Sequence, residues 1–385
     1  MSSFKDLDAF LKEVVNKGPA GCGCMVAQDG EILYEGYHGY ADVESGKQIT
    51  ADNIYRQFST TKLMVCTAAM KLFEQGKFLM TDPIYEYFPE WKNTQVADTD
   101  ANGNLLIRPA ARPITVQDCF SMRMGIGYGG EDHTHKVLAQ VQNELKEKEP
   151  NYTLRQDIEA MSKVPIRFDP GTHFLYGHGH ELVAGLIEVV TGKTVGEYLK
   201  EALIDPLEMK STGYQYFGDM KEKMVSAYTR KEDGSLVKIN APGDELHEPD
   251  CRYQGGGSGL FSTVRDYLNF SQMMANGGAF KGEQIIGRKT IDVMRSNLLP
   301  PEQMKDFTWE YVAGYGYGYG VRTLIDPSAG VNTSLGEFGW TGMMGTYVVM
   351  DPTEKASLVY MHNLLPNMEA YIHPRVRNIA FGALK

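Results

Sequence analysis

Tyr55–Phe78 reads YRQFSTTKLMVCTAAMKLFEQGKF, and the fold turns on this stretch. Leu63, Val65, Cys66, Ala69, Met70, Leu72 and Phe73 place apolar side chains nearly all round a helical period. A helix apolar on every side belongs in the interior of a protein, and Gly76 supplies a natural stop. At its head stand Ser59 and Lys62, three residues apart. On a helix that spacing puts them on one face, so the amine reaches the hydroxyl oxygen. The positive end of the helix dipole favours negative charge developing on the serine. A lysine beside a buried helix end also loses its proton more readily than one in water. These are the parts of a serine nucleophile activated by a lysine base. The same two residues equally fit a plain N-cap and a solvated first-turn lysine.

The pattern S-x-x-K occurs three times, at Ser2/Lys5, Ser59/Lys62 and Ser235/Lys238. The first sits at the chain start and the last in the polar, hairpin-like KEDGSLVKIN. Only Ser59 opens an apolar helix.

The 385 residues, 42% hydrophobic and 23% charged, are ordinary for a globular protein with a sizeable core. A net charge of -11 argues against a nucleic-acid surface, which needs clustered Lys and Arg. No apolar run has the length of a membrane span. In MSSFKDLDAFLKEVVNKGPAG, Leu7, Phe10, Leu11, Val14 and Val15 fall at helical spacing among charges. That is an amphipathic helix rather than a signal peptide, and a cytoplasmic location is expected. Cys22, Cys24, Cys66, Cys119 and Cys251 make a poor disulfide framework, and reduced, mostly buried thiols are expected.

Along the chain, GCGCMVAQDGEILYEGYHGYAD predicts a hairpin turning at Asp29-Gly30. From Thr81 to about Leu203 the pattern predicts mainly helices and loops, with two helices split at Gly192. GYGYGYGVRTL, EFGWTGMMGTYVVMD and KASLVYMHN predict successive strands, the tyrosines of the first on one face, and HPRVRNIAFGAL a closing helix. Strands and helices at both ends enclosing a helical middle predict a mixed sheet built from both termini.

FSTTK, FDPGTHFLYGHG, QGGGSGLFSTVRDYLNF and FGWTGMMGT follow one another in an order and spacing that resembles the class C β-lactamase-like serine hydrolases. That group belongs to the penicillin-recognising superfamily and includes the family VIII carboxylesterases. The resemblance runs from about Gly21 to the last strands and implies an α/β fold. Its central antiparallel sheet, from 1–80 and 205–385, would be flanked by the terminal helices, with a mostly helical region at 81–204 and the active site at their junction. It implies Ser59 as the acylated nucleophile, Lys62 as its proton partner and Tyr176 as the second-motif tyrosine. A tyrosine is a poor base at its free pKa near 10, but a neighbouring ammonium favours its phenolate. Trp340, Thr341 and Gly342 would line the site from an edge strand, and the N–H groups of Ser59 and Met343 would form the oxyanion hole.

Two departures matter. Trp340 stands where β-lactamases and cell-wall peptidases have a lysine or histidine suited to a substrate carboxylate; tryptophan there is similar to the family VIII esterases and offers an apolar wall. His178 stands where β-lactamases have asparagine, and could contact substrate or the Lys62 amine. The expected activity is therefore a serine hydrolase that passes through an acyl-enzyme on a small ester or amide. A β-lactamase or D-amino-acid-specific peptidase, with Arg322 or Arg375 supplying the cation, is the alternative, followed by an acyltransferase or a non-catalytic binding module. No cofactor is expected. His133/His135 and His178/His180 lack the i, i+4 spacing and carboxylates of a zinc hydrolase site, and Gly255–Gly259 lacks the Lys-Ser/Thr of a phosphate loop. The segments Phe120–Tyr128 and Trp309–Tyr319 either border a pocket or belong to the core.

Overall fold

The two ends of the chain meet in one sheet. The structure, a computed structural model, describes residues 3–100 and 102–384; Ser2, in the first S-x-x-K pair, lies outside them. We label eight strands β1 (Gly21–Gln28), β2 (Glu31–Asp42), β3 (Lys47–Gln48), β4 (Tyr315–Tyr317), β5 (Arg322–Leu324), β6 (Phe338–Thr341), β7 (Tyr347–Asp351) and β8 (Ala356–His362). Five helices matter here: α1 (Phe4–Lys17), α2 (Thr61–Glu74), α3 (Gly179–Thr191), α4 (Val264–Ala275) and α5 (Glu369–Gly382). The strands lie in the order β4-β5-β6-β7-β8-β1-β2-β3, every neighbour antiparallel.

Chain ends join where β1 pairs with β8, from Cys22 opposite His362 to Gln28 opposite Ala356. The β1–β2 turn falls at Asp29-Gly30, whose φ values of 51° and 86° are the paired left-handed conformations a two-residue hairpin prefers. Alternate residues then face opposite layers. Cys22, Cys24 and Val26, with Val349, Leu358 and Tyr360, pack against Leu7, Leu11 and Val14 of α1 and Ile372, Val376 and Ala380 of α5. Met25 and Ala27, with Val348, Met350, Val359 and Met361, face α2 and α4 on the other side. The fold is thus β-lactamase-like: a large antiparallel sheet with the terminal helices on one face. The five cysteines carry free thiols, four of them buried.

Five expectations are corrected, the first being that the sheet is antiparallel throughout rather than mixed, as the element pattern alone suggested. Phe338–Asp351 is not one strand, because the chain turns back at Gly342–Gly345 and Thr341 pairs with Tyr347. Nor is β6 an edge strand, since β5 and β4 lie outside it. The Gly-Tyr alternation likewise breaks after Tyr317, and Tyr317 pairs back onto Arg322. Between 81 and 203 the chain also contains a hairpin, Gln95–Thr99 with Leu105–Pro109. Its turn is built by Asp100, which accepts the N–H groups of Asn102 and Asn104 at 2.8 Å. As expected, Gly192 ends α3 in the left-handed conformation, φ 69°.

Candidate active site

α2 is buried as its sequence dictates, and its entry carries the chemistry. A short 3-10 turn, Phe58–Thr60, feeds the helix, so Ser59 lies on the turn and Lys62 in the first α-helical turn. Phe58 has φ 44°, a conformation that costs a bulky residue on the order of 1 kcal/mol. The packing of its ring against Ala227, Ala241 and Met344 holds it there. Lys62 is fully buried and places Nζ 3.1 Å from Ser59 Oγ and 2.7 Å from the Gly257 carbonyl. The faces of Tyr128 and Tyr176 stand 4.9 and 4.8 Å from the same nitrogen. Burial pushes the Lys62 amine down to about 7, while the carboxylate of Glu181 pulls it up.

Glu181 was not singled out in the sequence, where it reads as one more polar residue of GHELV. On the first turn of α3 it is 4% exposed and accepts the N–H groups of Gly256 and Gly257 at 2.7 and 3.0 Å. It thereby holds the glycine-rich loop whose next carbonyl receives Lys62. Gly256 must be glycine, because a Cβ there would lie 1.8 Å from the His180 carbonyl oxygen. Burial and Asp157 push the Glu181 carboxyl up; the two N–H groups and Lys62 act against them.

Tyr176 arrives on the loop before α3, pinned by a bridge between Gly127 and Gly177 and by the Tyr128 N–H donated to its carbonyl at 3.1 Å. The Trp340 indole N–H donates to the Tyr176 oxygen at 2.8 Å. Trp340 is therefore more than the apolar wall expected of it. Burial pushes the Tyr176 phenol well above its ordinary value, against the Ser59 and Trp340 hydrogen bonds. Nζ lies over the ring face, 4.8 Å from its centroid, so its charge and the burial of the phenol act on the Tyr176 proton in opposite directions.

These groups surround a cavity of about 530 Å³, whose walls include Ser59, Lys62, Tyr128, Tyr176, Trp340, Thr341 and Met343. Met343 is 44% exposed on the turn after β6. Neither its N–H nor that of Ser59 is donated to another described residue. Gly342 and His178 are not part of the wall. A Cβ at Gly342 would lie 2.0 Å from Thr346 Oγ1 and 2.4 Å from the Gln57 carbonyl, so glycine serves packing on the side away from the cavity. His178 stands behind Tyr128, ring centroids 4.7 Å apart, and burial with the Lys62 charge pushes it down to about 4. Of the two aromatic segments, Tyr128, Trp309 and Tyr311 reach the cavity, while Phe120, Tyr315 and Tyr317 belong to the core. Glu369, from the start of α5, is a wall residue that no motif announced.

A serine and a buried amine at the head of a core helix, faced by a tyrosine from the helical stretch and a strand-end turn, define the β-lactamase-like serine hydrolase arrangement. The chain belongs to the β-lactamase family, whose model matches residues 7–380. It is 26% identical over 368 residues to Protein Rv1367c of Mycobacterium tuberculosis, covering 94% of this chain and 90% of that one. A putative D-alanyl-D-alanine carboxypeptidase of Escherichia coli is 22% identical, with 93% and 81% covered. Among solved structures, EstCE1, a hydrolase with promiscuous acyltransferase activity, superposes with a TM-score of 0.82 at 20% identity, over 98% of both chains.

Proposed function

We propose that this protein is a serine esterase acting through an acyl-enzyme on a small ester or amide that bears no carboxylate near the scissile bond. The observation that carries this reading is the charge of the cavity wall: Lys62 is its one basic residue among the described ones, and Glu369 adds a carboxylate. Neither of the cations that could serve a β-lactamase or D-peptidase in place of one at position 340 lines the cavity. Arg322 is buried against Glu337 at 3.3 Å, and Arg375 lies on the Tyr371 ring, 4.0 Å from its centroid. A substrate carboxylate would meet Glu369 without a partner.

In this mechanism Ser59 Oγ attacks the carbonyl carbon and its proton passes to neutral Lys62, poised near the working pH. The oxyanion rests on the N–H groups of Ser59 and Met343. Tyr176, kept protonated, gives its proton to the leaving oxygen as the C–O bond breaks, and recovers one from Lys62. Water, or a second alcohol, then repeats the sequence in reverse to release the acyl group. His178 and Gly342 shape the site from behind rather than touching substrate. In this reading the chain divides into a sheet unit, 1–80 with 205–385, and a helical unit, 81–204, with the site at their junction.

The test is intact-protein mass spectrometry after exposure to p-nitrophenyl butyrate or to a penicillin, comparing the native protein with Ser59→Ala. A transient butyryl adduct absent from Ser59→Ala, with little penicilloyl adduct, is expected. Undiminished hydrolysis by Ser59→Ala would remove the nucleophile assignment, and a lasting penicilloyl adduct would restore the β-lactamase reading.

A further inference from the structure

Acyl transfer leaves the one carboxylate of the cavity wall, among the described residues, unused. Glu369 is half-buried, its Oε2 accepts the Thr341 hydroxyl at 3.0 Å, and it takes part in no ion pair with another described residue. Arg322, whose charge reaches it, is committed to Glu337. Burial pushes the Glu369 carboxyl up from its ordinary value, while the Thr341 and Asn367 hydrogen bonds, the charge of Arg322 and the first turn of α5 act against that and favour the carboxylate. Glu369 is close enough to Tyr311 and Tyr176 for its charge to push both phenols up.

Around that carboxylate the wall is aromatic. Trp309 and Tyr311 lie parallel, interplanar angle 4° with centroids 6.2 Å apart, and Trp309 meets Tyr176 and Trp340 edge-on at 5.4 and 6.2 Å. Trp309 remains 37% exposed. Aromatic faces and a carboxylate in no ion pair among the described residues, gathered on one cavity wall, are complementary to an organic cation: the rings offer their negative quadrupole faces and the carboxylate its charge. A helix-start glutamate with a local role alone needs no such surroundings.

We propose that the substrate carries an ammonium group, held by Glu369 against Trp309 and Tyr311 while its carbonyl lies at Ser59. This rests on the esterase reading for the position of the carbonyl, but not for the binding of the cation. The first experiment is therefore a binding measurement. Quenching of tryptophan fluorescence by choline is compared with quenching by its neutral isostere 3,3-dimethylbutan-1-ol, in the native protein, Glu369→Gln and Trp309→Leu. Choline is expected to bind at least tenfold more tightly than the isostere, and Glu369→Gln, which keeps the shape and the Thr341 hydrogen bond, to erase that preference. Equal binding of the two ligands, or a preference that survives Glu369→Gln, overturns the proposal.

The second experiment measures kcat/KM for butyrylthiocholine against 3,3-dimethylbutyl thiobutyrate. The ratio is expected to favour the cation by at least tenfold and to fall about tenfold in Glu369→Gln. Turnover of neither thioester, with choline still bound, would sink the esterase reading and leave the cation site standing. Turnover of both at equal rates would do the reverse.

Discussion

At the residue scale, the chemistry is set by how far each buried proton is moved. Burial disfavours the charged form of Lys62 and pushes the amine down to about 7. If the amine is the base, kcat/KM for a neutral ester rises through about pH 7 and then levels. Replacing Glu181 by Gln removes the carboxylate that favours the ammonium, so this rising limb moves to lower pH. A pH profile measured on both proteins checks it; an unmoved limb would separate Glu181 from the titrating group. Trp340→Phe keeps the ring but removes the N–H on the Tyr176 oxygen. A loss of about tenfold to a hundredfold in kcat/KM is expected, the kinetic equivalent of a hydrogen bond of about 1.4 to 3 kcal/mol. Near-normal kinetics would reduce Trp340 to a wall.

At the scale of elements, the site depends on close approaches between backbones. The turn after β6 comes against the turn before α2, where a Cβ on Gly342 would lie 2.4 Å from the Gln57 carbonyl. Gly342→Ala must push these two turns apart, and with them the N–H groups of Ser59 and Met343. We expect about 1 to 3 kcal/mol of destabilisation, typical of overpacking. A fall in kcat beyond the loss of folded protein should accompany it, read by denaturant melts and active-site titration. Full kcat per active site would show that the turn tolerates displacement.

On the scale of the whole molecule, the sheet separates stability from chemistry. Leu11 on α1 is fully buried against the face opposite α2. Leu11→Ala should cost about 2 to 5 kcal/mol in urea unfolding, yet leave kcat/KM of the folded protein unchanged, because the site is on the other side of the sheet. A lowered kcat/KM would mean that the packing of α1 is transmitted to the cavity, for which α5, whose first residue Glu369 lines it, is the route. Among the described residues no helix is long and apolar enough to cross a membrane.

What the sequence determined by itself was whatever repeats locally. The all-round apolar period of α2, the Asp29-Gly30 turn, the Gly192 cap and the amphipathic α1 are all short-range signals, and each reappears in the structure. The order of four motifs was enough to indicate the β-lactamase family. Local signals failed where pairing decided the outcome. Phe338–Asp351 and the Gly-Tyr run read as continuous strands, but cross-strand hydrogen bonds fold both back. The site was half legible: Ser59 and Lys62 are three apart in one helix entry, so spacing alone brings them together. Glu181, Tyr128 and Glu369 had no such signal, because they come from separate segments of the chain. The working state of Tyr176 is likewise not a local property. Whether its proton stays depends on burial and on which side of the ring the Lys62 nitrogen occupies, and only the packing of the sheet, the helices and the glycine-rich loop decides that.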